Sequence, residues 1–134
     1  MAARILIAED YDDNRELLRL LLANANYEVR EARNGQECLT LACVDPLPDL
    51  IMVDLSMPEL DGWEVFQRLK ANADTAHIPC VAVTAHTRSF PEEMVLAAGC
   101  DAYVVKPINT RTLAKKIAEV IAKKEEKKYE YPGR

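Results

Sequence analysis

Short apolar runs alternate with segments of helical period along the whole chain. Arg4-Ile5-Leu6-Ile7-Ala8 is a first run, and it stops abruptly at Glu9-Asp10. Leu18, Leu21, Leu22 and Ala25 then fall at i, i+3, i+4 and i+7, one face of an amphipathic helix whose start Asp12 or Asp13 is placed to cap. Leu17 and Leu20 widen that stripe; a generous core is the simplest reading, and a partner-docking face is the alternative. Tyr27 to Ala32 reads as a shorter, more polar strand near an edge, and Asn34-Gly35 turns into a helix with Cys38, Leu39, Ala42 and Cys43 on one side. Asp45-Pro46-Leu47-Pro48 breaks that helix, because proline disfavours helix at the residue before it.

The next run, Leu50-Ile51-Met52-Val53-Asp54-Leu55, is short and almost wholly apolar, the pattern of a strand buried on both faces. Asp54 sits inside it, although carboxylates rarely enter an interior without a partner. Pro58 ends the strand, and Asp61-Gly62 opens a helix with Val65, Phe66 and Leu69 turned inward. Ile78-Pro79 leads into a fourth strand, Cys80-Val81-Ala82-Val83, which closes on Thr84-Ala85-His86. A weak helix follows, with Ser89 as its expected cap and Pro91 in its first turn. Asp101 to Val105 is a fifth strand stopped by Lys106-Pro107, and Asn109 caps a last helix striped with Leu113, Ile117, Val120 and Ile121.

Five strands alternating with five helices through short loops predict one α/β domain. Its architecture is a parallel sheet with helices on both faces. Like charges at Lys123/Lys127 and Lys124/Lys128 predict that residues 125–134 form a frayed or disordered tail, free or packed on a partner. A net charge of −5 argues against nucleic-acid binding. The apolar runs fall far short of a membrane span and the N-terminus has no signal-peptide pattern, so a cytoplasmic location is expected. The four cysteines show no C-x-x-C pair and read as small buried hydrophobes.

In such a sheet the C-terminal strand ends share one edge, where ligands bind. That edge collects Glu9-Asp10, Asp54, Thr84 and Lys106. Three acids in contact repel, and a hard divalent cation with oxygen ligands and waters, Mg²⁺, resolves the repulsion. A carboxylate beside Mg²⁺ can act as nucleophile toward phosphorus, with Lys106 and the metal stabilising the charge of the transferred group. Acids stand where a dinucleotide fold would carry glycines, so no nucleotide-binding loop is supported.

Glu9-Asp10, Val53-Asp54-Leu55-Ser56-Met57-Pro58, Asp61-Gly62, Val83-Thr84-Ala85 and Lys106-Pro107 stand in order and spacing that resemble the receiver domain of bacterial two-component response regulators. Stand-alone receivers of the chemotaxis or cell-cycle type are the most similar, and the resemblance runs from Arg4 to about Ala122. It implies a flavodoxin-like, doubly wound five-stranded parallel sheet in the order 2-1-3-4-5, a receiver over residues 1–124, and Asp54 as phosphoryl acceptor. It also implies Asp10 as direct Mg²⁺ ligand, Glu9 reaching the metal through water, and Ser56 lending its backbone carbonyl. Thr84 matches the switch hydroxyl, Tyr103 the switch aromatic and Lys106 the phosphate-contacting lysine, with a cis Lys106-Pro107 bond. Ser56 and His86 flank the route of attacking water and are expected to tune hydrolysis. The implied partners are a histidine kinase or histidine phosphotransfer protein as donor, and a protein target on the face of the fourth helix, fifth strand and fifth helix.

The protein is thus expected to be a signalling switch that catalyses only its own phosphorylation and slow dephosphorylation. The absence of linker or output residues favours a stand-alone protein over a module of a larger regulator or hybrid kinase. Dimerisation through the last helix is left open. From another class, a Mg²⁺-dependent aspartyl-phosphate phosphatase would use similar groups, but it usually carries a second acid two residues after the nucleophile, where Ser56 stands here.

Overall fold

The computed structural model describes residues 2–57 and 60–128, with the side chains of 127 and 128 left aside. Pro58, read above as the strand stop, and the segment from Tyr129 to Arg134 lie outside the described residues. The elements run β1 (Arg4–Ala8), α1 (Asp12–Asn24), β2 (Glu28–Ala32), α2 (Gly35–Leu41), β3 (Leu50–Asp54), α3 (Gly62–Ala71), β4 (Cys80–Thr84), α4 (Glu92–Ala97), β5 (Ala102–Val105) and α5 (Leu113–Lys128). All strand pairs are parallel, in the order β2-β1-β3-β4-β5.

The chemistry of each strand follows its place in the sheet. β3 and β4 are buried at every position, because helices cover both of their faces. β2, at the edge, keeps Glu28 and Glu31 exposed. Alternate strand residues feed two apolar layers. Ile5, Ile7, Met52, Val81 and Val83 pack against Leu18 and Leu22 of α1 and Leu113 and Ile117 of α5. Leu6, Ile51, Val53, Cys80 and Ala82 pack against Cys38 of α2, Val65, Phe66 and Leu69 of α3, and Val95 of α4.

Several local expectations are corrected. Tyr11, not an acid, is the α1 N-cap, and Asp12 and Asp13 lie in the first turn, where their charge meets the helix dipole without capping it. Leu17 and Leu20 are 45 % and 51 % exposed, so the wide α1 stripe is not core. Pro91, not Ser89, is the α4 N-cap. Asn109 caps the turn ahead of α5, its side chain accepting from the Arg111 amide at 2.9 Å and its carbonyl from the Leu113 amide at 3.2 Å. α5 continues to Lys128, past the position where like charges predicted fraying. Glu119 lies four residues before Lys123, and lysines at a helix C-terminus complement the dipole, which offsets that repulsion.

Cys43 is exposed, unlike the other three cysteines, and all four are free. Burial pushes the Cys38 and Cys80 thiols up to about 12, which leaves them unreactive. Among the described residues no helix is long and apolar enough to cross a membrane.

Candidate functional site

Strand register assembles the site. Ala8 pairs with Val53, Asp54 with Val83, and Thr84 with Val105. The strands therefore deliver their last residues, or the next one or two, to the same edge: Glu9 and Asp10 after β1, Asp54 at the end of β3, Thr84 at the end of β4 and Lys106 after β5. The edge lies over β1 and β3, where strand order reverses, the usual crevice of an open α/β sheet.

Within it the Lys106 ammonium donates to Glu9 Oε1 and to Asp54 Oδ2, both at 2.8 Å. Glu9 and Asp54 are buried while Asp10 is exposed, and one carboxylate oxygen from each lies within 4.8 Å of the others. The second Glu9 oxygen accepts from the Tyr11 amide at 3.1 Å, and Asp54 Oδ1 accepts from the Ser56 amide at 3.0 Å. Both Glu9 oxygens are thus engaged. Asp10 makes no hydrogen bond or ion pair among the described residues.

Burial pushes the Glu9 carboxyl up; the Lys106 hydrogen bond pulls it back in part, and the Asp54 charge raises it again. Burial alone would lower the Lys106 pKa, but hydrogen bonds to Asp54 and Glu9 outweigh it and hold the ammonium above its ordinary range. One fixed cation between two buried acids, with a third acid free, leaves surplus negative charge aimed at the mouth of the edge. The donor set is all oxygen, which suits a small hard cation. Ser56 Oγ, two residues past Asp54, is buried with no hydrogen-bond partner among the described residues, an orphan that an oxygen of a bound ligand would satisfy.

Thr84 is fully buried, and its hydroxyl accepts from the His86 amide at 2.8 Å. Tyr103 is buried rather than a rim aromatic with its hydroxyl in water, and that hydroxyl donates to the Phe90 carbonyl. The Phe90 amide donates to the His86 carbonyl at 3.0 Å, so both residues grip the loop between β4 and α4. The His86 side chain is exposed at this loop. The Lys106–Pro107 peptide is cis, as is Asp45–Pro46, which the sequence did not suggest.

Sequence reasoning missed three contributors. Gly62 was read as a turn residue, but a Cβ there would stand 1.8 Å from the Asp54 carbonyl oxygen, so its bareness lets α3 press against the end of β3. Phe90 stacks near Trp63 at 6.0 Å between centroids, and Trp63 near Phe66 at 5.8 Å, which links the loop to α3. Arg15 donates to the Glu9 carbonyl at 3.1 Å. An arginine one turn into α1 was the available signal for this last contact, but its target is backbone, which no pattern of side chains shows.

A family model described as the response regulator receiver domain matches residues 5–118. The chain is 41 % identical over 109 residues to the polar-differentiation response regulator DivK of Brucella anthropi, covering 81 % of this chain and 88 % of that protein. Among solved structures, a CheY-like receiver domain protein from Methanospirillum hungatei is similar with TM-score 0.85 and 27 % identity, over 95 % of this chain and 99 % of that one. The chemotaxis protein CheY4 of Vibrio cholerae is similar with TM-score 0.81 and 28 % identity, over 90 % and 99 %. An acid pair, a buried aspartate, a hydroxyl and a lysine on one parallel-sheet edge thus coincide with a match across nearly the whole chain, and the chain belongs to the response regulator receiver domain family.

Proposed function

We propose that the protein is a phosphoacceptor switch of a two-component phosphorelay, phosphorylated on Asp54. The observation that carries this reading is the Lys106 ammonium held 2.8 Å from both Asp54 and Glu9, with Asp10 unpaired within reach of the same centre. The engaged oxygens of Glu9 suit contact with Mg²⁺ through water, and the free carboxylate of Asp10 suits direct ligation. Asp54 and the Ser56 backbone carbonyl complete the proposed set. When bound, Mg²⁺ supplies positive charge for the transferring phosphoryl group and lets three acids share one site.

An oxygen of Asp54 attacks phosphorus, the P–N bond of a phosphohistidine breaks, and an acyl phosphate forms while the imidazole leaves. Lys106 stabilises the equatorial oxygens by position. Thr84 gives up the His86 amide to donate its hydroxyl to the new phosphoryl group. Its movement alters the packing around Tyr103 and, through it, the face formed by α4, β5 and α5. That face carries a cleft of about 330 Å³ lined by Glu92, Leu96, Tyr103, Lys116 and Val120, a suitable seat for a protein target.

The donor would be a histidine kinase or histidine phosphotransfer protein in the cytoplasm. Exposed Leu17 and Leu20 on α1 offer it an apolar landing, and Leu17, Pro107 and Ile108 share a cleft with Lys106. Ser56 and His86 would set the lifetime of the acyl phosphate. The reading is tested by incubating wild type and Asp54→Asn with a small-molecule phosphodonor, with and without Mg²⁺, and recording intact mass. A single phosphoryl adduct that needs both Asp54 and Mg²⁺ supports the switch. Donor turnover without an adduct would place the chain with aspartyl-phosphate phosphatases.

A further inference from the structure

A carboxylate without a partner is aimed only by its backbone, and Asp10 is in that position among the described residues. The last ladder bond of β1 runs from the Glu9 amide to the Ala32 carbonyl at 3.1 Å. Beyond it the chain turns into α1, and the two peptide planes flanking the Asp10 Cα are held differently. The following plane is fixed by the Tyr11 amide donating to Glu9 Oε2 at 3.1 Å. The preceding plane is fixed by Arg15 Nη1 donating to the Glu9 carbonyl at 3.1 Å. Arg15 is itself pinned: its side chain is only 12 % exposed, Nη2 pairs with Asp12 Oδ1, and Nε lies 3.6 Å from Glu31 Oε1 on β2.

We propose that Arg15 is a positioning residue for divalent-cation binding, setting the direction of the Asp10 carboxylate by holding the peptide that joins Glu9 to Asp10. The inference rests on the reading of Glu9, Asp10 and Asp54 as a metal site. It reaches a residue that touches neither metal nor phosphate. Hydrogen-bonded supports behind metal ligands carry a large share of affinity when removed.

Charge and geometry predict opposite signs, which makes the inference sharp. Were Arg15 acting only through its charge, its removal would leave Asp12 and Glu31 unbalanced near the site and would tighten cation binding. As a positioning residue, its removal loosens Asp10 and weakens binding. Arg15→Lys keeps the charge but cannot span the same three partners, so charge alone predicts no change there.

The test titrates Mg²⁺ into the full chain by calorimetry for wild type, Arg15→Lys, Arg15→Met and Asp10→Asn, with thermal melts alongside. Both Arg15 variants are expected to raise the Mg²⁺ Kd about tenfold. Phosphorylation of Asp54 by a small donor should need correspondingly more Mg²⁺ for half-maximal rate, while the rate at saturating Mg²⁺ stays within about twofold of wild type. Wild-type or tighter Mg²⁺ binding in Arg15→Lys overturns the inference, and that variant decides the matter if Arg15→Met fails to fold. Unchanged binding in Asp10→Asn would instead sink the metal-site reading beneath it.

Discussion

Replacing Gly62 by alanine adds a single methyl group where the fold has no room for one. The new Cβ would stand 1.8 Å from the Asp54 carbonyl oxygen, 2.5 Å from its carbonyl carbon and 2.6 Å from the Leu55 Cα. Comfortable carbon contacts begin near 3.5 Å, so the start of α3 must retreat by roughly 1.5 Å or more. All three obstacles are backbone, and none can rotate away. Retreat also pulls on the Asp61 cap, whose side chain accepts from the Glu64 amide at 2.9 Å, and on buried Val65, Phe66 and Leu69. Overpacking costs about 1–3 kcal/mol where side chains can adjust, and this collision belongs at or above the upper end. For a domain of this size about 3 kcal/mol lowers the melting temperature by roughly 10 °C. Gly99→Ala is the matched control: its φ of +110° strains any side chain, but the nearest atom, Phe66 Cζ, is 4.0 Å away. Its cost should be about 1–2 kcal/mol. Thermal melts followed by circular dichroism compare the two. A Gly62→Ala melt within about 3 °C of wild type, or a larger loss in Gly99→Ala, refutes the packing argument.

Three further outcomes follow from the site. Glu9 has a folded-state pKa raised above 4.5, so its contribution to stability is fully present below that pH and is lost as pH rises through the folded value. In urea denaturation with a chelator, wild-type stability relative to Glu9→Gln should fall from pH 4 to pH 7; a constant or growing difference contradicts this. Tyr103→Phe removes the hydroxyl that donates to the Phe90 carbonyl and should cost about 1 kcal/mol. It should also shift Trp63 fluorescence, because Phe90 packs on that ring; an unshifted spectrum would uncouple the loop from α3. Phospho-Asp54 half-lives of wild type and His86→Ala should differ, and equal half-lives would remove His86 from hydrolysis.

The strands were readable because their apolar runs are short, rich in aliphatics and bounded by breakers. Residues at their C-terminal ends could be grouped from topology alone, and they occupy one edge here. Helix starts were less legible. Asp12 and Ser89 have the side chains of caps, yet Tyr11 and Pro91 occupy the cap positions, and neither makes a side-chain cap bond. Leu17 and Leu20 look like core in a helical projection, but the sheet covers only the face of α1 that carries Leu18 and Leu22, with Leu21 partly buried against it. Contacts to backbone were invisible for a general reason. Gly62 against Asp54, Arg15 on Glu9 and Tyr103 on Phe90 all meet peptide groups, whose positions depend on the assembled fold.

The loop from His86 to Phe90 is tied at both ends, by Thr84 at its first amide and by Tyr103 at its last carbonyl. Losing one bond of about 1 kcal/mol shifts a two-state balance only about fivefold, whereas losing both shifts it about thirtyfold. A thermal fluctuation that frees one end therefore leaves the segment anchored by the other. Such a double latch holds the segment against the loss of either bond alone: only an event that moves both side chains together releases it.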